Sequence, residues 1–268
     1  MQDDGKSASR SGTKPSGVLC TVLPKRSVIK MTDVKGKWAL ITGANRGLGF
    51  LCAKELAKRG CNLILHGRSE EKLKTLTNEI SEYDIKIKCV TAELSDVDSV
   101  SEMLSNIDIN VELVLNNAGM QIAYRTDPFK TPAADYTNSY VINTVAPMMI
   151  CYKLMPEMIK NGFGRIVNVT SGIDKEPEQA GYSASKAALD KVTADLGTKV
   201  EGTDVMINLV DPGWCRTDLG GPKAPNEPES AVTGILLGLF LDDKKSGRII
   251  RAQDFAGKTI EDALKSFQ

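Results

Sequence analysis

TGANRGLG, residues 42–49, stands between the apolar run WALI at 38–41 and LGFLCAKELAKRG at 48–60, whose apolar residues recur at helical spacing. Three glycines in a strand–turn–helix, Gly43, Gly47 and Gly49, share one physical reading. The first makes a tight turn, the second lets a pyrophosphate approach the backbone, and the third lets the helix pack close to the strand. The unpaired N–H groups at the helix start would then face the phosphates. A glycine pattern by itself is also read as a plain structural turn. Its place at the first strand–helix unit of an alternating chain favours nucleotide binding.

The alternation continues outward from that turn. NLILHG (62–67) precedes the amphipathic EEKLKTLTNEISEY, and IKCVTA (87–92) precedes a helix through VDSVSEMLSNI. VELVLNN (111–117) leads to a long helical stretch over 136–160, GRIVNVTS (164–171) to the alanine-rich YSASKAALDKVTADLG, and VMINLVDPG (205–213) and GRIIRA (247–252) close the series. Short, wholly apolar strands alternating with helices imply a parallel sheet covered on both faces, because each parallel return needs a crossover. The expectation is one doubly wound α/β domain of Rossmann type over residues 32–268. Residues 1–31 form an extension rich in Ser and Gly, read as disordered; residues 1–30 carry six basic and two acidic side chains.

Composition narrows the function. The 268 residues hold 34 Lys plus Arg against 34 Asp plus Glu, so no net field attracts nucleic acid or an anionic membrane. Six cysteines without CxxC spacing, and no signal peptide, read as reduced thiols in a cytoplasmic protein. With His66 the sole histidine, no metal site is expected. The run AVTGILLGLFL (231–241) is too short to span a bilayer and reads as a buried helix.

Further motifs fall at the carboxyl ends of the strands, where open α/β sheets bind ligands. HGRS puts Gly67 where an acid would hold the ribose hydroxyls of NAD, and Arg68 follows it. With Arg46 in the glycine turn, two guanidinium groups and no carboxylate suit a 2′-phosphate, hence NADP(H). NNAG (116–119) ends the fourth strand, Ser171 the fifth, and DPGWCRTD (211–218) the sixth. In YSASK, Tyr182 and Lys186 are four residues apart and share a helix face.

TGxxxGxG, NNAG, the Ser…YxxxK pair and the PG turn, in this order, resemble the short-chain dehydrogenase/reductase family over residues 37 to about 255. The resemblance implies a seven-stranded parallel sheet, a nicotinamide cofactor and a small-molecule carbonyl or alcohol substrate. It implies catalytic roles for Asn143, Ser171, Tyr182 and Lys186. To the cofactor it assigns Gly43, Asn45, Arg46, Gly47, Leu48, Gly49, Arg68, Glu93, Leu94, Asn116, Ala118, Gly119, Tyr182, Lys186, Pro212, Gly213 and Thr217. It also implies a homodimer or homotetramer, with Met148, Met149, Ile150, Leu189 and Val192 as apolar residues of the helices involved. Two departures stand out: Glu93 replaces the usual aspartate, and the Ser171–Tyr182 segment is about two residues short. By this reading Tyr182 gives a proton to the carbonyl oxygen, with its pKa lowered from about 10 by the Lys186 ammonium. Ser171 orients that oxygen, and Asn143 fixes a helix distortion or a water beside Lys186.

Substrate contacts are expected from Met120, Gln121, Ile122, Tyr124, Ile173 and Trp214, with residues 219–230 as a mobile lid. Three other readings compete with this one. A serine hydrolase, suggested by GYSAS, lacks the closing glycine of a nucleophile elbow and would need His66 as its base. An epimerase or dehydratase would retain its cofactor, and a non-catalytic NADP(H)-binding regulator would have no use for the tyrosine–lysine pair.

Overall fold

The structure, a computed structural model, describes residues 30–267. Lys30–Met31 (β1) is followed by Trp38–Ile41 (β2), Asn62–Gly67 (β3), Ile87–Thr91 (β4), Leu113–Asn116 (β5), Gly164–Val169 (β6), Val205–Asp211 (β7), Leu241–Asp242 (β8) and Ile249–Arg251 (β9). Seven of these form one sheet in the order β4-β3-β2-β5-β6-β7-β9, and every neighbouring pair is parallel. β1 pairs antiparallel with β8, so two residues of the expected N-terminal extension join the fold. Residues 1–29 of that extension lie outside the described residues.

The helices are Gly47–Lys58 (α1), Glu70–Glu79 (α2), Val97–Ser105 (α3), Ala133–Tyr140 (α4), Ala146–Asn161 (α5), Ala180–Lys199 (α6), Pro228–Phe240 (α7) and Ile260–Ser266 (α8). They divide between the faces of the sheet. Cys52 and Leu56 of α1, Leu73 of α2 and Ile235 and Leu239 of α7 pack into one apolar cluster. Met103 of α3, Met155 and Met158 of α5 and Leu189 of α6 pack into the other. With both faces covered, β5 and β6 are buried at every position, which is why apolar residues dominate them, with Asn116, Arg165 and Asn168 as buried polar exceptions. The 231–241 run supplies most of the buried helix α7. A Cβ on Gly234 would stand 2.2 Å from Ala252 Cα, so glycine is what allows α7 its close approach.

One charge lies inside. Arg165, at the amino end of β6, is 1% exposed. It pairs with Asp204 at 2.8 Å and Asp242 at 3.3 Å, and donates to the carbonyl of Leu241 at 2.9 Å. These bonds fasten β8 at the edge of the sheet opposite the candidate site.

The long helical stretch expected over 136–160 forms as two helices joined by a wider turn. Between α4 and α5, residues Val141–Val145 widen into a π-helical turn. Asn143 sits in that turn with no solvent exposure. Its Oδ1 accepts from Met120 N at 2.8 Å, while Nδ2 donates to Met120 O at 2.8 Å and to Ser185 Oγ at 3.0 Å. Paired bonds to a neighbouring backbone hold the side chain, and with it the widened turn, against the loop after β5. The expected helix distortion at Asn143 is thus present.

Candidate active site

Strand order reverses between β2 and β5, and two clefts open side by side beyond the carboxyl ends of these strands. The first, about 360 Å³, is lined by Gly43, Asn45, Arg46, Gly47 and Leu48 of the glycine turn. Arg68, Glu93, Leu94, Ala118, Gly119, Tyr182, Lys186, Pro212 and Thr217 complete most of its wall. Gly43 and Gly47 have φ of 64° and 56°, a region only glycine enters freely. A Cβ on Gly43 would lie 3.1 Å from Ala118 Cα, so the turn and the NNAG loop almost touch. No side chain caps α1 and its first turn holds no acid, which leaves its leading N–H groups suited to an anion.

Three residues assigned to the cofactor lie elsewhere. Gly49 faces inward: a Cβ there would stand 2.5 Å from Gly43 O and from Asn117 Nδ2, so this glycine serves helix packing. Asn116 is 2% exposed and donates to Asn168 Oδ1 at 2.8 Å, which makes it a link between β5 and β6. Its neighbour Asn117 lines the cleft instead, and donates from Nδ2 to Thr42 O at 2.9 Å. Gly213, with φ of 73°, lines the second cleft.

Arg46 and Arg68 both reach the first cleft, and Arg46 pairs with Asp218 across its mouth. Gly67 lines it as well, but a Cβ there would press on Leu73 at 3.2 Å, so the glycine also accommodates α2. His66 has no catalytic freedom. Its Nδ1 accepts from Gly43 N at 3.2 Å and its Nε2 donates to Ala92 O at 3.1 Å, which defines one neutral tautomer. Burial lowers its pKa further. The base required by a serine hydrolase is therefore a brace for the glycine turn.

Tyr182 and Lys186 lie one turn apart on α6, 7% and 4% exposed. Lys186 Nζ donates to Val169 O at 2.8 Å and stands 5.9 Å from the centroid of the Tyr182 ring. Burial pulls its pKa down to about 8, against a smaller opposing pull from Asp190. Asp190, one further turn along α6, accepts from the Thr170 hydroxyl at the end of β6. Burial also raises the pKa of the Tyr182 phenol. The Ser171 hydroxyl works in the opposite direction, and the charge of Asp211 adds to the rise. Burial is the largest of these influences, and Lys186, whose Nζ donates to Val169 O, is not among them. Ser171 Oγ accepts from Ile173 N at 3.2 Å, an arrangement that leaves its hydrogen for another acceptor.

The second cleft, about 720 Å³, shares Tyr182, Thr170, Pro212 and Thr217 with the first. Gln121, Ile122, Tyr124, Ile173 and Trp214 line it as expected, whereas Met120 lines the first cleft. Asp174, Glu176, Gln179 and Asp211 line it too; the first three belong to the segment between Ser171 and Tyr182, whose charges speak against a wholly apolar pocket, and none of the four was assigned individually from the sequence. Residues 219–230, expected as a lid, are fastened. Trp214 Nε1 donates to Gly220 O at 2.7 Å, Arg216 N to Asn226 O at 2.8 Å, and Arg216 also pairs with Glu227. Among the described residues no group of His, Cys, Asp and Glu is placed to hold a metal ion. Nor is any helix among them long and apolar enough to cross a membrane.

A family profile described as "short chain dehydrogenase" matches residues 37–228. The chain belongs to the short-chain dehydrogenase family. It is 34% identical over 206 residues to the 3-oxoacyl-(acyl-carrier-protein) reductase FabG of Rickettsia bellii, covering 76% of this chain and 82% of the relative. It is 29% identical over 223 residues to the very-long-chain 3-oxoacyl-CoA reductase of Bos taurus, covering 79% of this chain and 71% of that one. Among solved structures it resembles a 3-oxoacyl (acyl-carrier-protein) reductase from Agrobacterium tumefaciens with NADP bound. The TM-score is 0.73 at 21% identity, over 81% of this chain and 93% of that one. This likeness shows the shared fold. As a short-chain dehydrogenase the chain is an oxidoreductase.

Proposed function

We propose that this chain interconverts a carbonyl group and a secondary alcohol with NADP(H), and that Tyr182 is the proton donor and acceptor. The observation that carries this reading is the position of Tyr182 on the seam between two clefts, above a buried Lys186. The residues of the first cleft fit NADP(H). Backbone N–H groups of an uncapped helix suit the pyrophosphate, and Arg46 and Arg68 suit a 2′-phosphate, with glycine at position 67 where a carboxylate would repel it. The names of the relatives, reductases of 3-oxoacyl groups, and of a structural neighbour that holds NADP support the same reading.

The bound cofactor supplies the hydride. Each remaining step belongs to the side chains. Ser171, held by Ile173 N, donates to the substrate oxygen and stabilises the charge that develops there. Tyr182 gives that oxygen its Oη proton, and takes it back in the reverse direction. Lys186, cationic below its pKa of about 8 and one helical turn from Tyr182, favours the phenolate that remains. Asn143 positions the lysine side of the pocket by locking the π turn to Met120 and Ser185.

Tyr182→Phe tests the reading. It should keep NADPH affinity within about twofold while turnover falls by at least about a thousandfold, since it removes one proton donor and no packing. Retention of a large share of turnover would place the proton donor elsewhere.

A further inference from the structure

Charge in the second cleft is one-sided. Asp174, Glu176 and Asp211 line it, and no lysine or arginine among the described residues does. Asp174 is largely exposed and lies 3.7 Å from Lys175, so solvent and its neighbour weaken its effect. Glu176 is exposed as well and Asp211 is half-buried; neither joins an ion pair among the described residues, although Arg251 is the cross-strand neighbour of Asp211.

Asp211 stands closest to the chemistry. It ends β7, and its Oδ1 accepts from Gly213 N at 2.9 Å. Its Oδ2 packs so tightly on Gly172 that a Cβ there would come within 2.5 Å of it. The carboxylate is thus fixed beside the residue that follows Ser171. Its field reaches Tyr182, whose phenol it makes harder to ionise.

Gln179 adds an independent observation. It lines the same cleft and is 5% exposed. Its Nε2 donates to Ile122 O at 3.1 Å, which determines the orientation of the amide. Oε1 is then a buried acceptor without a partner among the described residues. A buried acceptor left unpaired is unfavourable, and an incoming N–H or O–H would satisfy it. Ile122, Ile173, Tyr124 and Trp214 complete an apolar frame around these acceptors.

We infer that the second cleft selects a carbonyl compound carrying a hydrogen-bond donor, best an ammonium group, and disfavours one carrying a carboxylate or phosphate. The inference rests on the reductase reading for the reacting group, and on the acceptors of the cleft for the rest. A cationic substituent gains from Asp211, and to a smaller extent from the exposed Glu176, what an anionic one of the same shape loses.

Three para-substituted acetophenones of matched shape test this: 4-(aminomethyl)acetophenone, 4-(hydroxymethyl)acetophenone and 4-acetylbenzoate. With the full chain and NADPH at low salt, kcat/KM should fall in that order, with the amine at least about tenfold above the carboxylate. Asp211→Asn with Glu176→Gln should bring that ratio close to one, because both changes keep shape and remove charge. A wild-type preference for 4-acetylbenzoate, equal efficiency with all three, or a ratio unchanged in the double variant would each overturn the inference. Calorimetric binding of the same compounds reads the cleft apart from turnover. Binding in the stated order without turnover would refute the reductase reading and uphold the inference. Binding that is equal or undetectable for all three would overturn it.

Discussion

Lys186→Met should stabilise the protein at pH 7 and destabilise it near pH 10.5, while abolishing turnover. Burial takes the lysine from its ordinary 10.5 to about 8, and the side chain is 4% exposed, so little solvent screening reduces the effect. A tenfold change in proton affinity corresponds to about 1.4 kcal/mol, so the folded state bears a cost of about 3 kcal/mol wherever Lys186 must be charged. That cost is complete below pH 8. Between pH 8 and 10.5 the unfolded chain binds the extra proton, so wild-type stability gains from this group as pH rises, and above 10.5 the cost is gone. Methionine fills a similar volume without charge, but gives up the bond from Nζ to Val169 O, worth about 1 kcal/mol net. The variant should therefore gain about 2 kcal/mol at pH 7, or about 4–8 °C in Tm, and lose about 1 kcal/mol at pH 10.5. Urea denaturation without added nucleotide, at four pH values from 7 to 10.5, measures both ends. A variant less stable than wild type at pH 7, or a difference that ignores pH, would refute the reasoning. Stability given up for a buried cation is what a functional lysine entails and a structural one does not.

Arg46→Ala and Arg68→Ala should each raise KM for NADPH by about tenfold at low salt, with little change for NADH; the effect should shrink as salt rises, since both groups lie at the cleft mouth. Equal efficiency of the wild type with both nucleotides would make them ordinary surface charges. Gly119→Ala sets a Cβ 3.3 Å from Asn143 Oδ1 and 3.6 Å from Lys186 Nζ, so kcat should drop by about tenfold with unchanged far-UV circular dichroism. Light scattering should return a dimer or tetramer, because Tyr136, Tyr140, Val145, Tyr152 and Ile159 along α4 and α5 expose apolar surface; a monomer mass across a broad concentration range would refute this. Of the apolar residues for which the sequence left core or partner open, Met148, Ile150 and Leu189 lie in the core.

The strands were legible because a parallel strand buried on both faces is dominated by apolar residues, and WALI, LIL and IV within NLILHG and GRIV leave few alternatives. The glycine turn was legible for a similar reason: Gly43 and Gly47 occupy backbone conformations that other residues enter at a cost. What escaped reading is whatever depends on a side chain's direction. In NNAG the two asparagines are identical in composition, yet a one-residue step at a strand end reverses the face, so Asn116 links strands while Asn117 braces the turn. Arg165 was unreadable as a buried residue because its partners, Asp204 and Asp242, are 39 and 77 positions away. In the sequence Asp211 reads only as part of a turn. Its carboxylate matters because of Gly172 and Tyr182, neither of which is near it in sequence.

The site is also more constrained than its motifs suggest, and the constraint lies mostly in bonds from side chains to backbone. Lys186 is tied to Val169 O, Asn143 to both backbone groups of Met120, Thr144 to Ser185 O, and Asn117 to Thr42 O. Together they join four pairs of elements around Tyr182: α6 to β6, the π turn to the loop after β5, the π turn to α6, and that loop to the glycine turn. A backbone group cannot rotate away as a side chain can, so these five bonds hold the phenol, the ammonium and the cofactor cradle at set separations before any ligand arrives. The second cleft lacks such fastening on one side, where Gln179 Oε1 is without a partner and Glu176 without a counter-ion among the described residues. Rigidity therefore surrounds the reaction, and unsatisfied polarity surrounds the part of the substrate that does not react. That division is what a single chemistry with an individual substrate preference requires, since the first set of bonds can stay as it is while the second is altered.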